Sequence, residues 1–374
     1  MVLMRVKLDN FLVFDDFELN LSYPKKIVGS TIPNEYLKGR PNFRYKKVVV
    51  LMGANATGKT ALGKVLMGIF NFITRKESYV ITQLIEDKKK DAMFEADIAF
   101  DNFMLVRIAA IFKARDYGID EYDSESIRVS VYSEKILSSD NYEICAGRFV
   151  KSDNYPSENY ITELEKVPDL TRKFEYPLVG EGKQRSAKGI DTDAYCDILG
   201  RVLTALDPRI IKVEKVNDVK NTYVIRYPHN IVLLNENDSI GLDKLSSGTA
   251  ESIGVAELIT VMKLDLCQFF YCDEKFSHIH ADAERAFLSV LIELLGPNYQ
   301  LFFTSHDPAL LDMDLPKHSY AFLRRNVSDQ KISCVFASEY LKKNTDSLRN
   351  AVENDIFSSS PDIGRIYELA EPEG

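Results

Sequence analysis

The chain has 374 residues, enough for one large or two ordinary domains, and its 45% hydrophobic and 28% charged content is that of a soluble globular protein. A formal net charge of −9 excludes a global basic field drawing it onto DNA or an anionic membrane, so any nucleic-acid contact must come from a local patch. Five cysteines (145, 196, 267, 272, 334) without C-x-x-C spacing indicate neither a disulfide framework nor a zinc site, and they fit a reducing cytoplasm.

The opening "MVLMRVKLDNF" lacks the apolar core of a signal peptide. Residues 2–20 alternate like two strands of a hairpin, with Asp9-Asn10 near the bend. A polar segment follows that reads as an ordered loop. Within it "KGRPNFRYKK" packs Lys38, Arg40, Arg44, Lys46 and Lys47 around two aromatics, which suits a nucleic-acid patch or a solvated face equally well. Val48 to Met52 form an apolar, β-branched run typical of a buried parallel strand. Gly53 to Thr60, "GANATGKT", then fit G-x-x-x-x-G-K-[ST], the phosphate loop, and a helix is expected over 59–76. Glycines let the backbone bend round an anion, so that successive N–H groups point inward at a helix N-terminus. Lys59 would reach the β- and γ-phosphates and the Thr60 hydroxyl would hold Mg²⁺. This is a nucleotide site.

Residues 92–150 suggest several antiparallel strands. The most apolar window there, 98–112, carries Asp101 and Arg107 and is too short to span a bilayer. "KKK" at 88–90 reads as a solvated charge run, and "GEGKQRSAKG" (180–189) as a mobile loop. A helix is expected over 191–206 and a strand at "NTYVIRY". Helices over 249–265 and 281–295 then alternate with buried strands over 266–272 and 299–305. Strands alternating with helices on both sides of an inserted region argue for an α/β core split in sequence. No long heptad run, internal repeat or low-complexity tract is present.

Three further segments bear on the chemistry. The strand "CQFFYC" ends in Asp273-Glu274, where Asp273 can hold Mg²⁺ through water and Glu274 can polarise an attacking water. The next strand ends in Thr304-Ser305-His306-Asp307, where His306 could donate to a γ-phosphate. Upstream, "LSSGT" places Ser246, Ser247 and Gly248 at a helix start, an anion-binding arrangement that a plain helix cap would also explain. His278 and His280 have no cysteine or carboxylate at metal-ligand spacing, so Mg²⁺ is the only metal expected.

The order and spacing of these segments resemble the ATP-binding-cassette (ABC) type ATPases of the SMC and RecF group, and more closely single-chain ATPases related to the OLD proteins. "GANATGKT" matches their Walker A motif, "LSSGT" the signature, "FFYCDE" the Walker B and "FFTSHDPALL" the switch-histidine segment. "KFSHIHADAERAF" is similar to the group's "LHP" stretch, with His280 at the histidine and alanine in place of the proline, and "DSLRNAVENDIFSSSPDI" resembles its closing helix. The likeness covers roughly residues 1–75 and 240–365. It implies an ABC-ATPase head: an α/β mixed sheet flanked by helices, with an antiparallel β-subdomain and an inserted α+β region. The expected division is an N-terminal lobe (1–80), an inserted region (81–240) and a C-terminal lobe (241–374).

The resemblance also implies that two heads face each other across ATP. Gly53, Asn55, Gly58, Lys59 and Thr60 would bind ATP and Mg²⁺ in cis, with Asp273 as a second metal ligand. Ser246, Ser247 and Gly248 would touch the γ-phosphate in trans, with Ser277 near the dimer seam. Glu274 would be the base and His306 the switch. Gln83 is the nearest candidate for the Q-loop glutamine, though it reads as a solvated surface residue; Phe43 and Tyr45 both remain open as the adenine-stacking aromatic. The residues after His306 hold no acidic cluster for catalytic metals and are too few for the nuclease domain of larger OLD proteins. The expectation is a cytoplasmic ATPase sensor or scaffold that assembles on ATP and gates a separate effector, a nuclease or toxin in antiphage defence. A RecF-like DNA-repair ATPase and an oligomer held together by ATP are the alternatives.

Overall fold

Alternation of apolar and polar residues sets the first pairing. β1 (Val2–Asp9) runs antiparallel to β2 (Phe17–Asn20), with Leu8 opposite Phe17, and Asn10 turns the chain at a φ of 60°. The computed structural model describes all residues except 116–121, 124, 150–158, 176–189, 191–192, 217, 236–238, 241–244, 277–278, 327, 344 and 359–374. The 180–189 segment therefore lies outside the described residues.

The polar segment before Val48 contains a small hairpin, β3 (Tyr36–Leu37) and β4 (Arg40–Arg44). β5 (Val48–Met52) leads through the phosphate loop into α1 (Lys59–Arg75) and the short α2 (Tyr79–Thr82). β6 (Ala92–Ala99), β7 (Met104–Phe112) and β8 (Ile127–Lys135) extend the first hairpin into a five-stranded antiparallel sheet, ordered β2-β1-β6-β7-β8. Next come α3 (Tyr142–Ala146), α4 (Tyr160–Leu164), β9 (Arg172–Glu175) and α5 (Asp193–Leu206). β10 (Lys212–Lys215), β11 (Thr222–Arg226), β12 (Ile231–Asn235) and β13 (Ser239–Ile240) form a four-stranded antiparallel sheet.

The C-terminal part supplies α6 (Ser247–Lys263), β14 (Phe269–Asp273), α7 (Ala281–Leu294), β15 (Gln300–Thr304), β16 (Tyr320–Arg325) and β17 (Ile332–Phe336), then α8 (Ala337–Tyr340) and α9 (Leu348–Glu353). Four of these strands join β5 and β9 in a six-stranded sheet ordered β17-β16-β5-β15-β14-β9, parallel except for β17. β5, from the start of the chain, thus lies between two strands from its end.

Both faces of this sheet are covered, which is why its strands read as unbroken apolar runs. On β5, Val48, Val50 and Met52 face a core shared with α5, α6 and α7, while Val49 and Leu51 face a core shared with α1 and the antiparallel sheet. β14 divides the same way, with Phe270 and Cys272 on one side and Phe269 and Tyr271 on the other. α6 is buried on every side along most of its length. Among the described residues no helix is long and apolar enough to cross a membrane.

Candidate nucleotide site

The phosphate loop keeps its shape through local contacts. Gly53 has a φ of 150°, and a Cβ there would fall 2.7 Å from the Leu323 carbonyl oxygen; Gly58, at φ 100°, leads into α1. Thr57 Oγ1 donates to the Ala54 carbonyl at 2.8 Å. The Lys59 ammonium donates to the carbonyls of Gly53 (2.9 Å) and Ala54 (3.3 Å), and burial pulls its pKa below the ordinary lysine range. Asn55 is exposed at the tip.

α1 begins against β14. Tyr271 Oη donates to the Lys59 carbonyl at 2.6 Å, and a Cβ on Gly63 would sit 2.6 Å from the same ring. That docking puts Thr60 beside the end of β14, where its hydroxyl donates to Asp273 Oδ2 at 2.6 Å. Asp273 is fully buried, and desolvation raises its carboxyl above the usual range. A buried carboxylate oxygen touching a hydroxyl is a pairing that a small, hard cation can use through oxygen ligands. Thr60 and Asp273 therefore fit Mg²⁺.

Glu274 sits one residue on, in the left-handed region at φ 42°, a conformation that a non-glycine residue holds only when its surroundings enforce it. Its Oε1 is 2.8 Å from His306 Nε2 and 3.6 Å from the Lys59 ammonium. The hydrogen bond from His306 is the main cause holding the Glu274 carboxyl below its ordinary pKa, and Lys59 adds to it. His306 is half-exposed and lines a cleft of about 500 Å³ with Gly53, Ala54, Asn55 and Phe322. Lys59, Thr60, Asp273, Glu274 and His306 are thus brought together from three strand ends.

One member of this cluster escaped sequence reasoning. Thr304 faces Asp273 across the β14–β15 register, donates to Asp273 Oδ1 at 2.7 Å and accepts the Glu274 N–H at 2.9 Å. A hydroxyl residue ending the neighbouring parallel strand was the available signal.

The signature residues stand elsewhere. Ser246 caps α6 by accepting the Thr249 N–H at 3.1 Å, and Ser246 and Ser247 are exposed. Among the described residues, neither they nor Gly248 line the cleft at the phosphate loop. Ser277 and His278 lie outside the described residues. His280 caps α7, accepting the Asp282 N–H at Nδ1.

Two expectations need correction. Phe43 and Tyr45 are both fully buried in the core between the antiparallel sheet and α3, so neither can stack on adenine. Lys46 and Lys47 are buried as well: Lys46 donates to the carbonyls of Asn20 and Ser22, and Lys47 to those of Pro33 and Leu295. They bind backbone rather than nucleic acid. Of the basic segment, Lys38 is exposed and Arg40 and Arg44 half-buried, with the Arg40 guanidinium 3.8 Å over the Phe103 ring. Gln83 is exposed after α2, the surface position expected of it.

No protein-family model matches the sequence, and no curated protein is significantly similar to it. Solved structures do match. An SMC head bound to the C-terminal winged-helix domain of ScpA aligns with a TM-score of 0.52 at 13% identity, over 94% of this chain and all of that one. The SMC head domain from Thermotoga maritima aligns with a TM-score of 0.44 at 13% identity, over 90% and 99% of the two chains. The recombination mediator RecF bound to an ATP analogue gives 0.44 at 11% identity, over 89% and 98%. The first of these likenesses shows the fold: a mixed α/β sheet flanked by helices, with an antiparallel β-subdomain, as in SMC heads.

Proposed function

We propose that this chain is an ABC-type ATPase head that binds and hydrolyses Mg-ATP, pairs with a second copy through that nucleotide, and through the assembly controls a partner effector. The observation that carries the ATPase reading is the convergence of Lys59, Thr60, Asp273, Glu274, Thr304 and His306 at the ends of β5, β14 and β15. Lys59 exchanges its loop carbonyls for phosphate oxygens, and the N–H groups before α1 hold the anion. Thr60 and Asp273 hold the metal, which supplies charge neutralisation at the phosphates. Glu274, kept ionised by His306 and Lys59, orients a water and accepts its proton. His306 donates at the γ-phosphate and answers its loss.

Pairing is supported by the exposed start of α6, whose Ser246 and Ser247 stand outside the cleft of their own chain. A second head presenting these groups would complete each site. Control of a separate protein is supported by the SMC head of the same fold that carries a domain of ScpA. The OLD-like character and antiphage role, with a nuclease or toxin as effector, rest on the motif resemblance, and the cytoplasmic location on the cysteine usage.

The test is the native mass of Glu274→Gln with Mg-ATP, co-expressed with neighbouring genes and purified through a tag on this chain. A heavy assembly containing a second protein supports the sensor-scaffold reading and identifies the effector to assay. A bare dimer that binds gapped DNA with ATP would favour the RecF-like reading instead. A monomer with and without ATP would defeat the pairing.

A further inference from the structure

A chain of charge, buried at Lys275 and Glu257 and partly buried at Lys173 and Glu175, joins the helix that opens with Ser246 to the residue that follows Glu274. On β9 the Lys173 ammonium lies 2.8 Å from Glu175 Oε1 and 3.2 Å from Oε2 of Glu257 on α6. The other Glu175 oxygen lies 3.7 Å from the ammonium of Lys275. The signs alternate, Glu257–Lys173–Glu175–Lys275, and Lys275 and Glu257 are each only 3% exposed. α6 is shaped to admit this chain. A Cβ on Gly254 would fall 2.7 Å from both Glu175 Oε2 and Lys275 Cε.

Stability alone is a weak reason for such an arrangement, because well-packed apolar residues do as well or better in place of buried ions. What buried ions do supply is positional constraint: with little solvent to screen them, each charge holds its neighbours in place. Here the constrained elements are an edge strand, a helix and the backbone beside Glu274.

We infer that Lys275 and Glu175 are positioning residues for the hydrolysis proposed above, fixing Glu274 relative to α6 so that a shift at either is felt at the other. The inference rests on that ATPase reading. In a pair of heads, Glu274 serves the ATP of its own chain and the start of α6 serves the partner's. The link therefore joins two nucleotide sites, and by reciprocity each site's occupancy biases the other.

Steady-state ATPase of the full chain tests this, with wild type, Lys59→Ala, Lys275→Met, Glu175→Gln and the Lys275/Glu175 double variant compared at equal folded concentration. Wild type should turn over with a Hill coefficient above 1 for ATP, and Lys59→Ala should be inactive. Lys275→Met should lower kcat on the order of 10-fold while KM stays within about 2-fold, and its Hill coefficient should fall to 1. Glu175→Gln, which keeps the side-chain shape, should do the same and carries the test if Lys275→Met does not fold. The double variant should be no worse than the poorer single, because both break one link. Folded variants with wild-type kcat and Hill coefficient would overturn the inference while leaving the ATPase reading intact. A wild type that neither binds nor hydrolyses ATP would overturn both.

Discussion

Thr304 and Asp273 are bound side chain to side chain at 2.7 Å across two parallel strands, and the same Thr304 hydroxyl accepts the backbone N–H of Glu274. One oxygen thereby orients the carboxylate proposed to hold the metal and pins the left-handed backbone of the proposed base. The buried hydroxyl contributes geometry to two residues.

Replacing it isosterically separates geometry from packing. Thr304→Val leaves Asp273 and the Glu274 N–H each short of a partner, which costs about 1–3 kcal/mol in a buried site. Turnover should fall roughly 10- to 100-fold with ATP affinity nearly unchanged, as a loss felt mainly in the transition state. Steady-state kinetics beside a nucleotide-binding titration would check this. Unchanged kcat would mean that Thr304 does not orient the base.

A second carboxyl near His306 should govern stability against pH. Glu284 on α7 is 5% exposed and hydrogen bonded to Ser305 and Asp307, and burial, with Asp307 adding, pushes its pKa up to about 7. The folded chain thus holds this proton more tightly than the unfolded chain does. Its contribution is complete below the ordinary glutamate range and is lost as pH rises through about 7. The whole swing is on the order of 2–3 kcal/mol. Glu284→Gln should therefore gain Tm relative to wild type between pH 5 and pH 8. A difference in Tm that stays constant over that range would contradict the assignment.

Lys47 should behave as a structural residue. Its ammonium satisfies two buried carbonyls, so Lys47→Met strands both and should lower stability by about 1–3 kcal/mol. Its effect on any DNA affinity should be nil in the folded fraction, and the salt dependence of binding should not change. Denaturant melts and a DNA titration at two salt concentrations distinguish the roles. A stable variant with weakened DNA binding would restore Lys47 to the nucleic-acid patch.

Metal removal should stop turnover without unfolding the chain, because Thr60 and Asp273 are held to each other by a direct hydrogen bond. Chelation should abolish ATPase, added Mg²⁺ should restore it, and Tm without nucleotide should stay within a few degrees. Comparing Glu274→Gln with Lys59→Ala in the biological assay then asks whether occupancy or turnover matters. If Glu274→Gln retains full output and Lys59→Ala has none, ATP acts as a structural clamp.

The phosphate loop, the strand ending in Asp273-Glu274 and the strand ending before His306 were legible because each is a local pattern. An apolar run, a glycine bend and a helix start lie within a dozen consecutive residues, so spacing alone specifies their geometry. The helices opening at Lys59, Asp193 and Ala281 likewise announce themselves through periodicity, and the one opening at Ser247 through its serine cap. Burial of Lys46 and Lys47 was not legible. It depends on carbonyls of Asn20, Ser22, Pro33 and Leu295, which only the folded chain gathers round them. Phe43 and Tyr45 went the same way, since an aromatic beside basic residues looks exposed until a sheet closes over it. Thr304 beside Asp273, and Lys275 beside Glu175, were decided by strand order. Parallel pairing sets residues about 30 and 100 positions apart side by side, and nothing in a sequence window records which strands become neighbours.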